Sequence, residues 1–118
     1  GVAAAEPSLS SSSSQTAANT PGRWISGQDA WYWEHPDGSR ASSQWIYSNG
    51  GWYYINADTR MASGWTWIAG SDGVSRCYFL NPGPEGSLGK LYTDTVTPDG
   101  FTVNSDGAWT VNGIVQVP

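Results

Sequence analysis

The sequence predicts an all-β domain, a short β-solenoid of stacked hairpins with units of about 20 residues, preceded by a Ser-rich arm. Three observations support this. Trp24 recurs as Trp45 and Trp65, and the triplet Trp31-Tyr32-Trp33 recurs as Trp52-Tyr53-Tyr54 and, degraded, as Cys77-Tyr78-Phe79. Eight Trp, six Tyr and two Phe outweigh the scarce Leu, Ile and Met, so ring packing has to replace much of an aliphatic core. Fifteen Gly and seven Pro favour short strands joined by turns, and no stretch holds a 3.6-residue apolar period for more than about a helical turn.

Residues 1–21 (GVAAAEPSLSSSSSQTAANTP) are small, polar and Ser-rich, the composition of a linker or stalk; residues 22–118 form the repeat domain. The arm is expected either to pack on its own domain or to be held by a neighbouring subunit. In the domain, WYWEHPDGSR (31–40) reads as a hairpin turning at 36–38. WYYINADTRM (52–61) repeats it with a turn at 56–59, and Arg40 stands in the place of Met61. Trp45 falls in the connection between these two.

The third unit is irregular. Trp65 and Cys77 stand twelve positions apart against seven for Trp45 and Trp52, and the extra residues carry Ser71-Asp72-Gly73, so its hairpin has a longer loop. PGPEGSLGK (82–90) is a Pro/Gly loop before a strand near Leu91-Tyr92. GFTVNSDGAW (100–109) turns at 104–107, with Trp109 in the Met61 place, and the alternation of residues 108–117 about Asn112-Gly113 reads as a closing hairpin.

Five basic and ten acidic residues give a net charge of −5, which offers no footprint for nucleic acid or anionic lipid, and nothing is long and apolar enough to insert in a membrane. The single Cys77 excludes an intrachain disulfide and is expected to be a buried thiol. The Ala-rich start fits the remnant of a removed export signal, so a secreted protein is expected.

Catalytic chemistry finds little support. His35, the only histidine, occupies the register of the turn residue Asn56, and most Asp residues of the repeats sit at or beside Gly-rich turns. One His and one Cys make no zinc site, and Asn104-Ser105-Asp106-Gly107 lacks the later Glu of a calcium loop. The expectation is a non-enzyme with no metal or cofactor.

AWYWEHPDGS (30–39), GGWYYINADTRMASGW (50–65) and TPDGFTVNSDGAWTVNGIVQ (97–116) resemble the choline-binding or glucan-binding cell-wall repeats of Gram-positive surface proteins, autolysins and clostridial toxins. The resemblance covers residues 22–117 and implies a solenoid whose grooves between hairpins box a choline headgroup or stack on sugar. Carried over residue by residue, one groove combines Trp31, Trp45, Trp52 and Tyr54, and the next combines Trp52, Met61, Trp65 and Phe79. Two positions depart from the pattern. Arg40 replaces the first Met and is expected to stack on Trp31 or Trp45; Cys77 removes a ring from the second groove.

The functional expectation is therefore a non-catalytic, surface-attached module that binds choline-bearing teichoic acid or glucan of the cell wall. The alternative is a structural subunit of an extracellular filament, since an open solenoid end templates stacking and residues 1–21 could strap one subunit to the next.

Overall fold

The computed structural model describes residues 18–83 and 87–118, and every regular element among them is a strand. Three antiparallel hairpins follow in series: β1 (Arg23–Ser26) with β2 (Trp31–Glu34), β3 (Gln44–Ser48) with β4 (Gly51–Ile55), and β5 (Gly64–Ala69) with β6 (Ser75–Leu80). A four-stranded antiparallel meander closes the chain, formed by β7 (Thr95–Val96), β8 (Thr102–Val103), β9 (Trp109–Val111) and β10 (Ile114–Val115).

The repeat register holds residue for residue. Trp24 pairs with Trp33, Trp45 with Tyr54 and Trp65 with Phe79; one step away, Ser26 pairs with Trp31, Tyr47 with Trp52 and Trp67 with Cys77. The turns fall at 36–38, 57–59 and 105–107, inside or at the expected spans. β9 and β10 form the closing hairpin about Asn112-Gly113.

Hairpin boundaries differ from the sequence reading in one respect. Trp45 lies in a strand, not a connection, because Asn49 (φ 51°) and Gly50 (φ 80°) form the two-residue, positive-φ turn that joins twisted antiparallel strands most easily. The segments read as return strands make single bridges only, Glu34 with Arg40 and Ile55 with Met61, and Leu91 likewise meets only Leu80. Their remaining backbone groups go elsewhere. Met61 N donates to Trp31 O at 2.9 Å and Leu91 N to Trp52 O at 2.8 Å, so each returning segment stitches its own hairpin to the preceding one. Ala41 N to Trp33 O and Ala62 N to Tyr54 O repeat a second contact at one spacing, and Tyr92 N to Phe79 O makes it across the longer third loop.

Rings line the joints between hairpins, yet the largest fully buried side chains are aliphatic: Ile46, Ile55, Leu80 and Val103. One cluster centres on Trp33, Ala41, Ile46 and Ile55, with Trp24, Tyr53 and Met61 packed on it. A larger one gathers Trp45, Trp52, Ile68, Tyr78, Leu80 and Leu91. Cys77 is buried, as expected, and burial pushes its thiol pKa up.

The described end of the arm is bound to its own chain. Thr20 N donates to Tyr47 O, Tyr47 N donates to Thr20 Oγ1, both at 2.8 Å, and the Trp33 indole donates to Pro21 O. Nothing among the described residues supports the filament reading, and residues 1–17, on which it chiefly relied, lie outside them.

Leu80→Ala is expected to cost about 2–5 kcal/mol in denaturant unfolding, because it opens a cavity where no surface is exposed. Ile114→Ala, at a position 68% exposed, should stay within about 0.5 kcal/mol.

Candidate functional site

A repeated ring geometry follows from the register. The first tryptophan of each hairpin meets its cross-strand partner, Trp24–Trp33 at 4.9 Å, Trp45–Tyr54 at 5.1 Å and Trp65–Phe79 at 4.9 Å between centroids. The first two also meet the central tyrosine of the following hairpin, Tyr53 at 5.2 Å and Tyr78 at 5.1 Å. These are packing contacts, edge-to-face except for Trp65–Phe79, which is tilted at 54°. A wider corner opens toward the position held by Trp31, Trp52 and Cys77: Trp24–Trp31 stand at 6.5 Å and 87°, Trp45–Trp52 at 6.3 Å and 87°. Two perpendicular faces so spaced can both lie within the ~6 Å reach of one cation.

The three equivalent corners have different fates. In the first, Trp31 is 40% exposed and lines a cleft of about 590 Å³ with Met61, Asn56, Asp58, Ser63 and Leu88. The rim carries an Asp29–Arg60 ion pair at 3.1 Å. Gly89, at φ +85°, lies over the thioether, where a Cβ would sit 2.6 Å from Met61 Sδ, so only glycine lets this loop pass. The second corner is filled: Trp52 is buried, Tyr47 packs on it at 5.0 Å, and Leu91 takes the Met61 place. The third has lost its ring to Cys77.

Of the residues singled out in the sequence, Trp45, Trp52 and Tyr54 come together, but within the core. Trp31 meets Trp24 instead and shares its cleft with Met61. Trp65 turns toward the closing meander, where it meets Phe101 at 5.9 Å and Trp109 at 6.3 Å, and Phe79 packs between Trp65 and Tyr92. Trp24, Phe101 and Trp109 were not among the candidate site residues. Trp24 could have been found, since it opens the Trp24, Trp45, Trp65 series.

Arg40 stacks on neither Trp31 nor Trp45. Its guanidinium sits 4.0 Å above the ring of Tyr32, the tyrosine equivalent to Tyr53 and Tyr78. Those two are covered by Trp24 and Trp45; Tyr32 is covered by the arginine. His35 takes the backbone role of Asn56, accepting from Gly38 N and donating to Ser39 O as Asn56 does with Thr59 and Arg60.

Among the described residues, Asp99 is the one turn carboxylate hydrogen-bonded to a distant ring. Its Oδ2 accepts from the Trp65 indole at 2.9 Å, its Oδ1 accepts from the Thr97 hydroxyl, and Thr97 Oγ1 in turn accepts from Phe101 N at 3.2 Å. The hydrogen bonds from Thr97 and then Trp65 hold its pKa below the ordinary aspartate value.

No family model matches the sequence, and no curated protein matches it. Solved structures do. The choline-binding domain of Spr1274 from Streptococcus pneumoniae is 33% identical with a TM-score of 0.60, over 80% of this chain and 99% of that domain. Choline-binding protein F from the same organism is 25% identical with a TM-score of 0.34, over 76% of this chain and 40% of that one. CbpJ from Streptococcus pneumoniae TIGR4 is 22% identical with a TM-score of 0.34, over 77% and 48%.

Because the folded-state pKa of Asp99 is depressed, its contribution to holding the meander on β5 is present above the unfolded value and lost as pH falls through the folded one. The Trp65 indole proton shift in NMR should stay flat from neutral pH to about pH 5 and titrate with a midpoint below 3.8. A midpoint above 3.8 would show that the carboxylate is not held by these bonds in solution.

Proposed function

The chain belongs to the choline-binding family of cell-wall-binding modules, and from that premise we propose that it acts outside the cell and holds a choline headgroup of the wall polymer in the corner between Trp24 and Trp31. One observation carries the reading: of the three equivalent corners, only here among the described residues does a ring of the perpendicular tryptophan pair, Trp31, line an open cleft together with a methionine. A quaternary ammonium has no hydrogen-bond donor, so it gains nothing from a directed acceptor. Electron-rich ring faces contribute about 0.5–2 kcal/mol each, according to how far the cation is desolvated. The polarizable sulfur of Met61 adds a soft third wall.

The rim supports the same reading. Asp58 adds negative potential, while Arg60 is paired with Asp29 and so does not stand in the cleft as an uncompensated positive charge. Asn56 and Ser63 offer hydrogen bonds to a hydroxylated polymer beside the headgroup. Exposed Trp31 is also a platform on which the CH face of a sugar could stack, which keeps glucan as the second ligand class.

Choline should quench tryptophan fluorescence saturably, and Trp31→Ala should weaken binding about tenfold while leaving the melting temperature nearly unchanged. Trp52→Ala, by contrast, should destabilise by about 3–5 kcal/mol because that ring is core. A flat choline titration of the wild type rejects the choline site; saturable quenching by soluble glucan instead would assign the cleft to sugar.

A further inference from the structure

A second aromatic cluster lies at the other end of the stack, where β5 meets the closing meander. Trp65 and Phe101 stand at 5.9 Å and 89°, Phe101 and Trp109 at 6.1 Å and 89°, and Trp65 and Trp109 at 6.3 Å. Three rings, each about 6 Å from the other two, form two right-angled corners that share the Phe101 wall. Phe101 is 45% exposed and the neighbouring Trp67, which meets Trp109 at 6.4 Å, is 46% exposed, so the cluster is not sealed in the core.

A carboxylate hydrogen-bonded to one of its own rings distinguishes this cluster from the Trp24–Trp31 corner. The chain contains two Pro-Asp-Gly turns, and in the first, Asp37 Oδ1 accepts from Ser39 N and Ser39 Oγ within its own turn. In the second, the Thr97 hydroxyl takes over the bond to the backbone N–H at the matching position, Phe101. Asp99 is thereby released to reach across to the Trp65 indole. The link between Thr97 and Asp99 fixes the carboxylate beside the rings, and each of its oxygens keeps acceptor capacity beyond the single bond it makes.

We propose that Trp65, Phe101 and Trp109 with Asp99 form a second site, selective for an ammonium group that carries N–H. Ring faces attract any cation. A carboxylate at the rim adds a charge-assisted hydrogen bond that only an N–H donor can accept as partner, and a fully alkylated nitrogen forgoes it. The site therefore takes a protonated primary or secondary amine, such as a lysyl side chain or an amino-substituted wall component, where the Trp31 corner takes a quaternary one. It does not depend on the choline reading, because it shares no residue with that corner.

The test is a titration of the full chain with n-butylammonium and with butyltrimethylammonium at constant ionic strength, following the indole N–H signals of Trp65 and Trp109 by NMR. Butylammonium should shift both saturably, in the wild type and in Trp31→Ala alike, and should bind about fivefold or more tightly than the quaternary ion at these signals. Asp99→Asn should abolish that preference, read at Trp109. Phe101→Leu keeps an apolar residue without the ring face and should weaken both ions about tenfold, which tests the site even if Asp99→Asn loosens the meander. Equal affinity for the two ions, an unchanged preference in Asp99→Asn, full binding in Phe101→Leu, or no saturable shift would each overturn the proposal.

Discussion

A two-stranded hairpin of five-residue strands is marginal in water, and none of the three hairpins here pairs with another through a strand ladder. What holds them is the joint: the first tryptophan of one hairpin is pressed between its cross-strand partner and the central tyrosine of the next, while one backbone N–H returns to the earlier hairpin. Because strand side chains alternate between faces, Trp24 and Tyr32 lie on opposite sides of the first hairpin. Each unit therefore presents a tryptophan face forward and a tyrosine face backward, and the stack propagates by fitting one to the other. Cooperativity in such an array resides in the joints, so loss of a joint ring acts on two units at once.

The same joint explains why binding and stability can share residue types without sharing positions. Trp31 and Trp52 are equivalent in register, both form a perpendicular corner with the first tryptophan of their own hairpin, and one is 40% exposed while the other is core. The difference comes from their neighbours. Tyr47 lies opposite Trp52 where Ser26 lies opposite Trp31, and Leu91 fills the position of Met61. A bulky cross-strand partner and a branched aliphatic close the second corner; a serine and a flexible thioether leave the first one open.

Much of this was legible before any coordinates. The twenty-residue period, the equivalence of the three ring triplets and the turns are direct consequences of pattern, and all are found. Trp45 as a strand residue was legible too, through Asn49-Gly50, a strong hairpin signal that the more numerous Asp-Gly steps overshadowed. The grouping of rings was not. Trp31 meets Trp24, diagonal to it in the register of one hairpin, and that grouping was hidden because the hairpin was read as starting at β2 and not at β1. Arg40 shows the same limit: its register was read correctly, but the ring it covers lies on the opposite face of the hairpin from Trp31.

The closing meander shows how a small chemical change redirects a repeated element. Two turns with the common core Pro-Asp-Gly differ in the residue before the proline, His35 in one and Thr97 in the other. A threonine hydroxyl can satisfy the backbone donor that the aspartate would otherwise hold, and once it does, the carboxylate is free to bond outside its turn. Here it reaches the indole of Trp65, 34 positions earlier in the chain. The third corner, having lost its own ring at Cys77, gains Phe101 and Trp109 from the meander that this bond helps to dock. An element that ends the repeat thus restores an aromatic surface where the repeat had lost one, and it does so with a negative charge that the earlier corner of rings does not hydrogen-bond. The proposed change of ligand chemistry along the stack rests on that substitution, with no change in the fold.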